Sequence, residues 1–156
     1  MKLSINLVTW NGAKYVLYLF ESLRKQTFKD WQLLIVDNNS QDGMVALMKK
    51  ELDPSTRAAE VARYGAGNFP VPWEIIENKE NKGFAGGHNM AFKKTDSEYV
   101  LMLNQDMYLA PDCLEKIVKF LDDNSQVTVA SPRLMKWNFD LLDDAIILQK
   151  SFTDQI

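Results

Sequence analysis

Short apolar runs punctuate the chain, and each stops at a polar or glycine-rich break. The run L-S-I-N-L-V-T at 3–9 predicts a first strand. Trp10-Asn11-Gly12 breaks it, with Gly12 freeing the backbone for a tight turn. Tyr15, Leu19, Ser22 and Leu23 then recur at helical spacing, widened by Val16 and Phe20, and Gln26-Thr27-Phe28 closes that helix. Residues 31–36 are nearly all apolar and predict a second strand. It ends in D-N-N-S-Q-D-G at 37–43, side chains that bond to nearby backbone, with Ser40 or Asp42 as N-cap of a helix running towards Leu52. A shorter third strand is expected at 73–77. Residues 99–103 form a continuous apolar run, short enough for a strand buried on both faces. It stops at Asn104-Gln105-Asp106. Pro111 then opens a helix with Leu114, Ile117, Val118 and Leu121 at helical spacing.

Between these elements the pattern is less regular. Residues 54–72 read as a surface excursion, in which Ala58, Ala59, Val61 and Ala62 could extend a helix. After the polar stretch 78–82 comes G-F-A-G-G-H-N at 83–89. No G-K-[ST] follows, so it is not a P-loop, and it does not match G-x-G-x-x-G. Glycines there let backbone N–H groups approach a phosphate or sugar, or let a helix start pack tightly on the sheet. A helix through Met90, Ala91 and Phe92 should end near Lys94. Residues 127–130 predict a further strand, 133–137 a strand or turn, and 140–156 stay ambiguous. The chain stops at Ile156 without a termination signal, which leads us to expect that it is cut short.

Strands alternating with helices argue for an α/β fold with a mostly parallel central sheet flanked by helices. Right-handed crossovers bring the loops at 9–11, 37–39 and 104–106 to one crevice. A carboxylate at the C-terminal end of a strand lies where open α/β sheets bind ligands. A hard divalent cation that also binds substrate phosphates needs only one or two such carboxylates. Capping of the next helix or turn is the competing account of Asp106.

Composition narrows the choice. With 156 residues, 46% of them hydrophobic, the chain can build one domain with a real core and not two. A net charge of -3, evenly spread, argues against nucleic acid as the main partner. Cys113 is the only cysteine and His88 the only histidine, so an internal disulfide, a thiol metal cluster and a two-histidine metal site are excluded. His88 itself reads as a surface or hydrogen-bonded loop histidine. No signal-peptide pattern opens the chain, so the cytoplasm is the default location. No run approaches the roughly 18 apolar residues of a membrane span. Trp10, Trp31, Trp73 and Trp137 could supply a sugar-stacking face, although buried packing is the commoner fate of tryptophan.

Four segments then stand out together: I-N-L-V-T-W-N-G at 5–12, L-I-V-D-N-N-S-Q-D-G at 34–43, N-K-G-F-A-G-G-H-N at 81–89 and L-M-L-N-Q-D-M-Y-L at 101–109. In order and spacing they resemble the inverting family 2 glycosyltransferases of the GT-A nucleotide-sugar fold, especially the rhamnosyltransferase-like branch. The resemblance covers residues 3–137. It implies that Thr9 and Asn11 contact the nucleoside and that Asp37 hydrogen-bonds the pyrimidine base. Gly83, Phe84 and Asn89 match the donor loop. Asn104 and Asp106 occupy the place of the D-x-D motif, with Asp106 as ligand of a divalent metal, Mg2+ or Mn2+, that offsets charge on the diphosphate leaving group. Asn104 replaces the first carboxylate, a variant that branch also shows. The implied donor is a UDP- or dTDP-sugar, dTDP-rhamnose among them. The implied acceptor is a saccharide or lipid-linked glycan of the cell surface, with the enzyme in the cytoplasm or at the inner face of the membrane.

The family's general base and acceptor half lie downstream of D-x-D, and only about fifty residues follow Asp106 here. On this reading residues 1–137 are the donor-binding domain and 138–156 begin the acceptor side. Asp143, Asp144 and Asp154 do not match the base motif, so the catalytic residue stays unassigned. Two other readings compete: a donor-binding fragment inactive alone, and a receiver-like domain using Asp37 and Asp106 for Mg2+. The last lacks its lysine at a late strand end, since 127–133 supplies none.

Overall fold

A computed structural model describes residues 1–53 and 69–136. The elements in chain order are β1 (Leu3–Thr9), α1 (Ala13–Arg24), β2 (Trp31–Asp37), α2 (Met44–Leu52), β3 (Trp73–Glu77), α3 (Gly83–Phe92), β4 (Tyr99–Asn104) and α4 (Cys113–Asp123). All strand pairs are parallel, in the order β3-β2-β1-β4. The chain therefore builds outward from β1 through β2 to β3, then returns to place β4 on the other side of β1. That reversal opens a crevice beyond the ends of β1 and β4. Register puts Thr9 beside Asp37 and Val8 beside Asn104 at its mouth.

One face of the sheet packs on α1, α2 and α4. Leu3, Ile5 and Leu7 of β1 and Leu33 and Ile35 of β2 meet Val16, Leu19, Phe20 and Leu23 of α1, Met44 and Met48 of α2, and Leu114 and Val118 of α4. Phe69 closes this core with its ring against Phe20 and edge-on to Trp31. A nearly buried ion pair, Arg24 Nη2 to Glu51 Oε2 at 2.7 Å, ties α1 to α2. The opposite face carries α3, whose Ala91 and Met90 pack on Val8, Leu34, Val36 and Ile76. Farther along β1 that face is polar, yet Ser4 and Asn6 are fully buried. They are satisfied locally: Ser4 donates to Asn6 Oδ1 at 3.0 Å, and Asn6 Nδ2 donates to Thr95 Oγ1 at 3.3 Å.

Of the two readings of the glycine cluster, the helix start packed on the sheet is the one observed: the cluster forms the first turns of α3. Glycine is a poor helix former, but a Cβ on Gly87 would lie 2.8 Å from a Val8 methyl, so close helix–sheet packing requires its absence. Two expectations are corrected. Strand β4 is not buried on both faces. Like β3, it is an edge strand among the described residues; only Leu103 is buried and Met102 is 49% exposed. Residues 127–130 form no strand, and Val129 is 86% exposed. The helix extension expected at 58–62, Trp137 and the region 138–156 lie outside the described residues.

Gln26, read from sequence only as part of a helix end, fastens the segment that carries the end of β4. Fully buried, its Nε2 donates to the carbonyls of Ser22 (3.0 Å) and Ala110 (2.8 Å), while its Oε1 accepts the Leu114 N–H at 3.1 Å. Thr27 N–H adds a bond to the Pro111 carbonyl at 2.9 Å. Gln26→Leu removes the Leu114 N–H's acceptor and a donor to the Ser22 and Ala110 carbonyls, the latter keeping only the Cys113 N–H at 3.0 Å among the described residues, and should cost about 2–4 kcal/mol of stability. Urea unfolding of the two proteins measures it, and a loss below about 0.5 kcal/mol would contradict the assignment.

Candidate functional site

The crevice encloses about 370 Å3 and is lined by Val8, Thr9, Trp10 and Tyr15 from β1 and α1, Asn38 after β2, Asn81, Gly83 and Phe84 around the start of α3, and Asn104, Gln105 and Asp106 at the end of β4. This volume lies within the ~300–1,000 Å3 of small-molecule sites.

Its walls are laced together by side chains, because the strands end and the ladder can no longer satisfy the backbone. The loops after β1 and β2 are joined at five points. Asn38 N–H donates to the Thr9 carbonyl (2.8 Å) and Thr9 Oγ1 to Asp37 Oδ1 (2.9 Å). Asn11 N–H donates to Ser40 Oγ (2.9 Å), and Gln41 N–H to Asn11 Oδ1 (2.8 Å). Finally, Asp42 Oδ2 accepts the Ala13 N–H at 2.8 Å, capping α1 from the neighbouring loop. Its other oxygen accepts from Met44 N–H at 3.2 Å, so Asp42 serves the start of α2 as well; the N-cap position itself is Gly43 at φ 82°.

Asn38, 2% exposed, carries the lacing to the third wall. Its Nδ2 donates to the Gly83 carbonyl at 3.0 Å, and its Oδ1 accepts from Asn78 Nδ2 at 2.9 Å. Gly83 takes φ 74°, a left-handed conformation that favours glycine, and its N–H donates to Asn81 Oδ1 at 2.7 Å.

The residues singled out from sequence fall into two groups. Thr9, Gly83, Phe84, Asn104 and Asp106 line the crevice. Asn11 and Asp37 stand behind its wall. Asn11, at φ 46°, turns its side chain to Gln41. Asp37 is 1% exposed and accepts three bonds, from Thr9 Oγ1, Ser40 N–H (2.9 Å) and Ser40 Oγ (2.6 Å). Asn89 is exposed farther along α3 and is not among the lining residues. Sequence reasoning placed Trp10, Asn38 and Gln105 in the crevice loops but gave Asn38 and Gln105 no role of their own; Trp10 is 53% exposed on the wall, and the other two brace it. Their signal was adjacency to the strand ends. Trp31 is buried in the core and Trp73 is 40% exposed.

For a divalent cation the candidate ligand is Asp106, with the neutral Asn104 amide two residues before it. Asp106 is exposed and has no intramolecular hydrogen bond among the described residues. No cluster of three or more His, Cys, Asp or Glu suited to a metal occurs among those residues. One free carboxylate with a neutral oxygen neighbour fits a hard cation completed by phosphate and water oxygens.

The sheet is parallel and doubly wound, with its crevice at the switch point and a carboxylate two residues past the end of edge strand β4, an arrangement that GT-A α/β domains share. Within that class, the chain belongs to glycosyl transferase family 2, whose family model matches residues 4–147. Poly(ribitol-phosphate) β-N-acetylglucosaminyltransferase TarS of Staphylococcus aureus is 25% identical over 127 residues, covering 80% of this chain and 19% of TarS. An uncharacterized glycosyltransferase of Bacillus subtilis, YwdF, is 25% identical over 122 residues, covering 78% of this chain and 39% of that one. The chain spans less than half the length of the curated relatives it matches. Among solved structures, TarS 1–349 in complex with UDP superposes with TM-score 0.64 at 24% identity, over 80% of this chain and 33% of that one. Mannosyltransferase PcManGT of Pyrobaculum calidifontis, in complex with GDP-Man and Mn2+, gives TM-score 0.63 at 23% identity, over 79% and 33%. Both share the fold. Among the described residues no helix is long and apolar enough to cross a membrane.

His88 departs from expectation. It is not at the surface, and among the described residues it has no hydrogen-bond partner: it is 1% exposed, with neither ring nitrogen bonded to any of them. Its ring meets Phe84 edge-on, centroids 4.4 Å apart. Burial pushes the imidazole below the ordinary value of 6.5. The unfolded chain therefore takes up a proton before the folded one as pH falls, so stability is full above about 6.5 and declines below it. Because His88 is the only histidine, wild type should lose more stability between about pH 7.5 and 5.5 than His88→Leu does. Urea midpoints at both pH values check this; parallel losses would refute it.

Proposed function

We propose that this chain is the donor-binding part of an inverting glycosyltransferase of cell-surface polysaccharide or cell-wall synthesis. It transfers a sugar from a UDP- or dTDP-linked donor, dTDP-rhamnose among the candidates, to a saccharide or lipid-linked acceptor. We place it in the cytoplasm, at the inner face of the membrane where the acceptor is lipid-linked. The observation that carries the reading is Asp106: a free, exposed carboxylate at the end of β4, facing a crevice whose opposite wall is Thr9, Trp10 and the start of α3. The UDP bound to TarS and the GDP-Man and Mn2+ bound to PcManGT, proteins of the same fold, support it.

Each residue takes a task suited to its chemistry. Thr9 and Asn11 shape the nucleoside side. Asp37, with three of a carboxylate's roughly four acceptor positions engaged, keeps one for a base N–H. Gly83 and Phe84 form the wall over the donor sugar and diphosphate, with Asn89 extending it along α3. Asn104 bonds a ribose hydroxyl, and Asp106 holds the divalent cation, Mg2+ or Mn2+. That cation, when bound, supplies positive charge to the diphosphate leaving group. In the transfer, the acceptor oxygen attacks the anomeric carbon from the face opposite the diphosphate. The new C–O bond forms as the bond to the diphosphate breaks, and a base removes the acceptor proton. No described residue is assigned as that base.

Calorimetric titration with UDP and dTDP, each with and without Mn2+, tests the reading. Nucleotide should bind more tightly with Mn2+. Asp106→Ala should remove at least about a tenfold advantage, the scale on which metal sites respond even to outer-shell changes. Its melting temperature should not move. Equal affinity with and without Mn2+ in wild type would sink the role of Asp106, and no nucleotide binding by the folded chain would sink the donor reading. Metal-dependent binding without measurable transfer would identify a binding unit rather than a complete enzyme.

A further inference from the structure

The backbone ladder between β1 and β4 ends at Val8 and Asn104. Beyond that point the β1 loop turns towards β2, held by Asn38, Ser40, Gln41 and Asp42. Trp10 is joined back to the β4 side by a side chain. The Gln105 Oε1 accepts the Trp10 N–H at 2.9 Å, and its Nε2 donates to the Trp10 carbonyl at 3.0 Å. A primary amide offers donor and acceptor side by side, as a neighbouring strand's backbone would. Glutamate could only accept, and asparagine is one methylene shorter.

Gly12 completes the arrangement. Its φ of -123° and ψ of 29° suit other residues too, so conformational freedom does not explain the glycine. Space does. A Cβ there would lie 2.4 Å from Gln105 Cδ, 2.5 Å from Nε2 and 2.6 Å from Oε1. The left-handed residue of this turn is Asn11, not Gly12. Gly12 is the seat into which the Gln105 amide fits.

We propose that Gln105, interlocked with Gly12, is a positioning residue for donor binding. It clamps the Trp10 backbone to the end of β4 and sets the nucleoside-side wall of the crevice relative to Asn104 and Asp106. This rests on the donor reading above, but the clamp itself can be tested without a donor. In Gln105→Leu, exchange of the Trp10 amide proton should quicken by about tenfold or more as its acceptor disappears. With Mn2+ present, UDP should bind about tenfold more weakly, whereas inorganic pyrophosphate should change by less than about twofold, because only the nucleoside wall has loosened. Gly12→Ala alone should lower both melting temperature and UDP affinity, and adding Gln105→Ala to it should cost little more, since the clash has gone.

Unchanged Trp10 exchange would overturn the clamp. So would equal weakening of UDP and pyrophosphate, which marks general loosening of the site, or strictly additive losses for the Gly12 and Gln105 changes. If wild type binds no UDP, the donor reading falls, and amide exchange with the Gly12–Gln105 coupling in melting temperature still decides the clamp.

Discussion

The crevice depends on a shortage of backbone partners. β1 is paired with β4 up to Val8 and with β2 up to Thr9, and then its neighbours diverge: β2 and β3 lie to one side and β4 to the other. Past that point each N–H and carbonyl needs a partner that the ladder no longer supplies. Small polar side chains fill the role. Asp37, Asn38, Ser40 and Asp42 stitch the β1, β2 and β3 loops together, and Gln105 stitches the β1 loop to β4. The cleft is held open by the bonds that terminate the sheet, which is why its walls are rich in Asn, Asp, Ser and Gln.

The framework was legible because its central strands obey simple rules. β1 and β2 are buried and bounded by turn residues, and α1 shows a clear apolar stripe, so pattern and structure agree closely there. Failures came where the partner of a segment decided its state. The apolar run of β4 implied burial that an edge position does not provide. The β-branched residues at 127–130 have no described strand to pair with. The glycines of α3 left a ligand-approaching loop and a packed helix start both open, because the pattern cannot show that Val8 needs a glycine above it.

The candidate site was legible to a similar depth. Topology alone brought the ends of β1, β2 and β4 together, and Thr9, Asn104 and Asp106 do share one cleft. Side-chain direction was not legible. Asn11 and Gly12 were both read as turn residues, yet the backbone strain sits on Asn11 while Gly12 yields space to a residue 93 positions later. Such a pairing leaves no trace in local pattern, since either residue alone has an ordinary explanation.

The aspartates illustrate how context divides one residue type among tasks. Asp37 accepts three hydrogen bonds, which leaves about one acceptor position, and Asp42 caps two backbone N–H groups, so both are largely engaged within the fold. Asp106 bonds to nothing among the described residues and faces the cleft. With Asn104 beside it, the local anionic charge is that of a single carboxylate. A hard divalent cation gains little from one such ligand, and its remaining coordination positions need oxygens from elsewhere. On the donor reading those oxygens belong to the diphosphate. Cation and nucleotide then strengthen each other's binding by equal factors.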